Sequence, residues 1–291
     1  MLEVEARLGC VELVETDDGI RLRTWTDGQP TELPPVLLVH GGPGMWDYLE
    51  PVARMLESHT VVHRYDQRGC GGSDPSDDHT VARYVADIDA LRRHWRHDAW
   101  VVMGHSFGAT LAFAYAVAHP RHTAALGYLN GTGVGDWRTP YRHERQRRMT
   151  IAQQERLAEL TDSSSRSDTE ELEFRTLSWF TDYADPDRGW SLAARDARLD
   201  LPINFVANRM LNLETVSRTA ADVLTQARNL RMPCWFIHAS GDPRPFTTVE
   251  DLASATPGGG THLIEQAGHQ PWHENPDALR NLLQRLVASL H

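Results

Sequence analysis

Apolar and polar positions along this chain change their period several times, and each change marks an element. Residues 10–15 and 20–26 alternate with period two on either side of Asp17-Asp18-Gly19, which predicts an antiparallel hairpin. Pro35-Val36-Leu37-Leu38-Val39 is continuously apolar instead, the pattern of a strand buried on both faces of a parallel sheet. A further short strand is expected over 60–65. Val81, Val85, Ile88, Leu91 and Trp95 then recur at helical spacing and predict an amphipathic helix over 80–95. A strand at 100–103 runs straight into an Ala-, Leu- and Phe-rich buried helix, 107–119, which Pro120 ends. The next strand is expected at 123–129.

Regularity then changes. Residues 135–227 are helical in propensity, polar, and show no clear strand; Asp162-Ser163-Ser164-Ser165-Arg166-Ser167 breaks them once. Afterwards the strand–helix rhythm returns, with strands at 234–238 and 262–265 and helices near 248–255 and 277–290. Strands alternating with helices predict an α/β core of residues 1–134 and 228–291, its central sheet mostly parallel and covered by helices on both faces. Residues 135–227 are expected to be a helical lid inserted into it.

Gly104-His105-Ser106-Phe107-Gly108 matches the G-x-S-x-G pattern and lies between an apolar strand and an apolar helix. That context makes it a nucleophile elbow, in which a tight, strained turn exposes Ser106, and it points to the α/β-hydrolase fold. In that arrangement the acid and the base follow the nucleophile in chain order. Asp242 stands just after the strand 234–238, and His269 just after the strand 262–265, where open α/β sheets place their sites. His273 is the competing base. At the end of the preceding strand the chain has Asn130, whose amide cannot balance an imidazolium, so Asp242 is the expected acid. His40-Gly41-Gly42-Pro43-Gly44 ends an earlier strand, and the backbone N–H groups of Gly42 and Phe107 are the expected oxyanion donors. A Walker phosphate loop is excluded by the missing Gly-Lys-Ser/Thr.

Three blocks together resemble the proline iminopeptidase-like branch of the α/β hydrolases. They are His40–Gly44, Asp66-Gln67-Arg68-Gly69-Cys70-Gly71-Gly72-Ser73, and the elbow with its helix; Phe205-Val206-Ala207-Asn208-Arg209 resembles a lid stretch of that family. The resemblance implies hydrolysis at a carbonyl through an acyl-enzyme, without metal or organic cofactor, often releasing an N-terminal residue from a small substrate or short peptide. The chain departs from the family in two places. His105 and Phe107 replace a Gly and a Trp at the elbow, and His105 at this place is common in esterases and lactonases. The acidic lid residue of the peptidases falls on Pro202, which leaves Glu214 as the first candidate partner for a substrate ammonium and Asp200 as the second. Trp46 and His105 are further candidate substrate contacts, and Trp137, Trp179, Trp190 and Trp272 are weighed as pocket-lining against lid-packing. A carboxylesterase or lactonase acting on a small metabolite, or a ligand-binding protein on the same scaffold, are the alternative functions.

Composition narrows the partners. A formal charge of −11 argues against general nucleic-acid binding, and the basic residues are all arginine. The run Arg138, Arg142, Arg145, Arg147, Arg148 is expected to be a solvated helix face. Asp66 and Arg68 are expected to brace the oxyanion loop through a charge-assisted hydrogen bond, with Cys70 as packing. Cys10, Cys70 and Cys234 are sparse and form no metal-binding pattern, the N-terminal segment is acidic where an export signal is basic, and no apolar run could span a bilayer. These features suggest a cytoplasmic enzyme with no membrane partner; oligomeric state is left open.

Overall fold

The structure is a computed structural model that describes residues 10–199 and 201–291. The acidic segment 1–9, read above for export signals, and Asp200 lie outside the described residues. The strands are β1 (Cys10–Glu15), β2 (Arg21–Asp27), β3 (Val36–Val39), β4 (Val62–Tyr65), β5 (Trp100–His105), β6 (Thr123–Leu129), β7 (Cys234–Ala239) and β8 (Gly259–Ile264). Among the described residues they form one sheet in the order β1-β2-β4-β3-β5-β6-β7-β8. The β1–β2 hairpin is antiparallel, β2 meets β4 antiparallel, and every later pair is parallel.

Side chains of the inner strands alternate between two cores, as the pleat requires. Leu37, Val39, Val102 and Phe236 face one side, covered by α2 (Val81–His94), α3 (Phe107–Ala118) and α10 (Phe246–Ala255). Val36, Leu38, Val101, Met103 and Ile237 face the other, covered by α1 (Glu50–Leu56) and α12 (Pro276–Ala288), with the short α11 (Pro271–Glu274) supplying Trp272. Central strands sandwiched in this way explain the unbroken apolar runs in the sequence.

Between β6 and β7 the chain inserts α4 (Arg138–Arg148), α5 (Ile151–Asp162), α6 (Asp168–Trp179), α7 (Pro186–Ala197), α8 (Phe205–Ser217) and α9 (Ala220–Ala227). Their starts follow from local chemistry. Thr150 and Ser167 form capping boxes with Gln153 and Glu170, while Asp185, Asn204 and Thr219 each accept a backbone N–H of the first turn. The Ser-rich break therefore serves as the connection that ends α5 and caps α6. None of the described helices is long and apolar enough to cross a membrane.

Two expectations change here. Strand β8 begins at Gly259, three residues before the apolar run, because Gly259 and Gly260 pair with Cys234 and Trp235 through the backbone alone. Asp66 and Arg68 do not bond to each other. Asp66 accepts from Arg23 Nε at 2.9 Å, Gly72 N at 2.7 Å and Asp47 N at 2.8 Å, so it ties the loop before α1 to the loop after β4. Arg68, fully buried, forks onto Asp87 at 2.7 and 2.6 Å and reaches Asp18 at 3.0 and 3.2 Å, fastening α2 to the β1–β2 turn. Cys70 is buried as packing, and burial pushes its thiol up to about 12.

Candidate active site

Ser106 follows β5 at the N-cap position of α3 with φ 57° and ψ −122°, a conformation that costs of order 1–3 kcal/mol in a non-glycine residue. Close packing holds it there. A Cβ on Gly104 would meet the Gly108 carbonyl oxygen at 1.9 Å, and one on Gly108 would meet that of Val39 at 2.0 Å. Both flanking positions must therefore be glycine, and the turn lifts Ser106 out of the sheet. Phe107 begins α3, and the first N–H groups of a helix have no partner within it. Gly42, with φ +127°, stands beside the elbow on the loop after β3; both Gly42 and Ser106 line the same cavities.

His269 and Asp242 come together from the loops after β8 and β7. His269 donates Nδ1–H to Asp242 Oδ2 at 2.6 Å, with both residues buried. Asp242 collects further donors: Asn130 Nδ2 at 2.7 Å on the same oxygen, and the Arg244 backbone N–H at 2.9 Å and Nη1 at 3.3 Å on the other. Burial by itself would raise this carboxyl, but the charges of His269 and Arg244 outweigh it and hold the group well below the usual carboxylate range. Arg244 in turn pairs with Asp182 at 3.0 Å and lies 4.5 Å above the Tyr141 ring.

The backbone of His269 is clamped at both ends. Its N–H donates to the Asp182 carbonyl at 2.7 Å, and its carbonyl accepts from His105 Nε2 at 2.8 Å. The His105 tautomer follows from its other neighbour: Gly41 N–H donates to the Tyr48 hydroxyl, which donates to His105 Nδ1, both at 2.8 Å. Burial, then the nearby His269, keeps the His105 pKa well below the ordinary value, consistent with a neutral ring. The adjacent Gly268 N–H is fixed by Glu274 Oε2 at 2.7 Å, and Glu274 also accepts from Ala184 and Asp185 of the insertion.

Two cavities meet at Ser106. The larger, about 970 Å³, is lined by Trp46, His105, Tyr141, Trp179 and His269 among others. The smaller, about 470 Å³, is lined by Phe107, Tyr128, Trp137 and Arg138 among others. Trp46 thus borders the larger space. His105 also borders it, but both its ring nitrogens are occupied within the protein, so its hydrogen bonds position His269 and are not available to a ligand. Glu214 borders neither cavity. Its Oε2 accepts the Val81 N–H at 2.8 Å, so it caps the start of α2, where the helix dipole favours a carboxylate, and the expectation that it meets substrate is corrected.

The remaining expectations divide. Trp190 packs on Phe180 with ring centres 5.2 Å apart, and Trp272 lies between Tyr48 and His105. His273 does not reach Asp242; burial lowers it to about 4, and it takes a hydrogen bond from Arg195. The arginine run is not one solvated face. Arg142 and Arg147 are exposed, whereas Arg148 turns inward to the carbonyls of Thr181, Tyr183 and Gly241, joining the insertion to the Asp242 loop. Sequence reading gives no role to Arg244, Asp182 or Asn204, sets Asn130 aside as the acid without seeing it as a donor to Asp242, and places Asn208 only in a lid stretch; Asn204 and Asn208 bond Gly69 and Pro43 and hold α8 against these loops. Asn130 carried a signal: an amide at the end of core strand β6, which is followed, after the insertion, by β7 and is its neighbour in the sheet. Among the described residues no group of three His, Cys, Asp or Glu side chains has the arrangement of a metal site.

Known proteins place this geometry. The family described as "Alpha/beta hydrolase family" matches residues 36–282. The proline iminopeptidase of Neisseria gonorrhoeae is 36% identical over 107 residues, 35% of this chain and 34% of the relative. That of Heyndrickxia coagulans is 23% identical over 250 residues, 84% of this chain and 86% of the relative. The matches to several such relatives span only about a third to a half of their length, from 34% to 51%. In structure, a meta-cleavage product hydrolase from Pseudomonas fluorescens superimposes with a TM-score of 0.75 at 16% identity, covering 98% of this chain and 99% of that one. A thermophilic esterase from Thermogutta terrifontis gives 0.71 at 22% identity, covering 98% and 100%. With its matched segment, its sheet order and its strained serine turn in agreement, this chain belongs to the α/β-hydrolase family and within it is similar to the proline iminopeptidases.

Proposed function

We propose that the chain is a serine hydrolase that cleaves an ester or amide of a small substrate through an acyl-enzyme. The observation that carries this reading is the strained Ser106 turn opening onto the cavity that His269 lines, with His269 held by the buried Asp242. Ser106 Oγ attacks the carbonyl carbon while His269 Nε2 takes its proton, and Asp242 stabilises the imidazolium that forms. The N–H groups of Gly42 and Phe107 receive the developing oxyanion. His269 then returns the proton to the leaving atom, and water, deprotonated by the same imidazole, releases the acyl group. His105, Tyr48, Asn130 and Arg244 act by fixing the positions of His269 and Asp242.

Two substrate classes compete, and the charge pattern bears on the choice between them. Release of an N-terminal proline, the activity in the relatives' names, calls for a carboxylate able to meet a substrate ammonium in a partly dry pocket. In the larger cavity Asp27 and Asp47 pair with Arg64, Glu50 with Arg54, Asp182 with Arg244 and Asp196 with Arg195. Glu57 alone among its described carboxylates has no such partner, and it is exposed on the far end of α1. With every one of these carboxylates except Glu57 already engaged by a guanidinium, the lining supports a carboxylesterase-like reading over the peptidase one. Comparing kcat/KM for prolyl 4-nitroanilide, 4-nitrophenyl butyrate and a simple lactone tests it. The esters are expected to exceed the prolyl anilide by at least about tenfold after correction for their uncatalysed rates. The opposite order would establish the iminopeptidase reading, and tight ligand binding without turnover of any of them would establish a binding protein.

A further inference from the structure

The two spaces that meet at Ser106 differ in what they can do for a reacting substrate. His269 lines the larger one and is absent from the lining of the smaller. The group that protonates a leaving atom must lie within hydrogen-bond reach of it. On the serine-hydrolase reading above, on which this inference rests, the leaving group therefore departs into the larger cavity and the acyl arm occupies the smaller.

That acyl-side chamber has an apolar floor and a cationic wall. Phe107, Phe113, Val134, Val223 and Leu252 line it, and about 470 Å³ is room for an acyl chain of several carbons. Arg138 and Arg218 line it from the insertion, and neither has a carboxylate partner among the described residues. Arg138 lies 4.5 Å over the Trp137 ring and gives one hydrogen bond to the Asn212 side-chain oxygen at 3.3 Å. Arg218 bonds the side-chain oxygen of Gln226. Arg244, the third guanidinium there, is already neutralised by Asp182 and Asp242. The chamber's one carboxylate among the described residues, Asp136, is exposed at its edge. Burial lowers the Arg138 pKa from its ordinary value, as for a cation drawn out of water without full compensation, yet a guanidinium remains charged at neutral pH. In the larger cavity the charges of the described residues are paired except for the exposed Glu57 and for Arg145, which bonds Thr181 and Ser178 and lies over the Tyr141 ring.

We propose that the smaller cavity takes an acyl arm ending in a carboxylate, held by Arg138 and Arg218, so that the preferred substrates are monoesters or monoamides of dicarboxylic acids. Such an arm runs over the apolar floor and brings its anion to two guanidiniums that no carboxylate of the described residues bonds: Arg138 has the Asn212 oxygen, the Trp137 ring and the nearby charge of the exposed Asp136, and Arg218 has the Gln226 oxygen. A free N-terminal ammonium would meet the same two cations and be repelled.

The test uses 4-nitrophenyl monoesters of straight-chain dicarboxylic acids of four to eight carbons, each beside its ω-methyl ester. At one chain length the free acid is expected to exceed its methyl ester in kcat/KM by about 10- to 150-fold, the range of a charge-assisted contact. This ratio should fall toward one in Arg138→Gln and in Arg218→Gln, and Arg138→Lys should restore part of it. In the wild-type protein it should also shrink as salt is raised. A ratio near one at every length in the wild type, or full preference surviving both glutamine substitutions, overturns the proposal. Fluorophosphonate modification of Ser106 in the same preparation separates the two levels. A modified serine with no acid preference defeats the anion site alone, and an unmodified serine defeats the hydrolase reading along with it.

Discussion

Ser106→Ala is expected to lower kcat by roughly 10⁶-fold on any substrate the protein turns over, leaving the far-UV spectrum and the unfolding cooperativity unchanged. The size follows from the role: without Oγ there is no covalent intermediate, and loss of a nucleophile in a serine hydrolase costs about this much. The unchanged fold follows from the packing. What holds the turn is the fit of Gly104 and Gly108 against neighbouring backbone and the hydrogen bond from Ser106 N to the Leu129 carbonyl at 2.9 Å. None of these contacts uses the hydroxyl, and alanine meets the same positive φ with the same Cβ. Retention of more than about 1% of wild-type kcat in a homogeneous preparation would remove Ser106 from the mechanism.

Asp242→Asn is expected to reduce kcat by about 10⁴-fold, the cost of giving a triad histidine a neutral partner. The local geometry makes the substitution harsher than a simple loss of charge. His269 Nδ1, Asn130 Nδ2, the Arg244 backbone N–H and Arg244 Nη1 all donate to this carboxylate. An asparagine offers one oxygen and turns an NH₂ toward at least one of these donors, so His269 must give up either its tautomer or its position. Stability should change with pH as well. The folded-state carboxyl lies well below its ordinary value, so its contribution is complete above the unfolded value near ~3.9 and is lost as pH falls through the lower folded one. Asp242→Asn should therefore flatten the acid limb of the unfolding curve. A kcat within tenfold of wild type would mean that another group orients His269.

The parts of the molecule legible in the sequence are those where one local rule dominates. The strands β3 and β5 show as unbroken apolar runs because both faces are covered, and the elbow shows because two close approaches admit only glycine. Chain order then separates Asp242 and His269 from the other acids and histidines. Helix α1 escaped because its signal is short: Pro51 in the first turn, then Val52, Met55 and Leu56, within seven residues. The function of Glu214 was not legible for a different reason. Its partner Val81 is 133 residues away, and nothing in either segment shows that α8 lies against the start of α2. The same holds for Asn130, which lies beside Asp242 only because β6 and β7 are neighbours across the whole inserted segment. The arginines of α4 illustrate how composition misleads: one helix sends Arg147 to solvent, Arg148 to two carbonyls of the insertion and one of the core, and Arg138 into a cavity.

The most direct test of the account is where a mechanism-based phosphonylating reagent lands. Incubation with a fluorophosphonate, followed by intact-mass measurement and peptide mapping, should give one adduct, on Ser106, forming at least about a hundredfold more slowly in His269→Ala. A single adduct there requires a serine activated by its neighbouring base, which is the central claim. Absence of any adduct in folded protein, or modification of Ser106 at the same rate without His269, would contradict it.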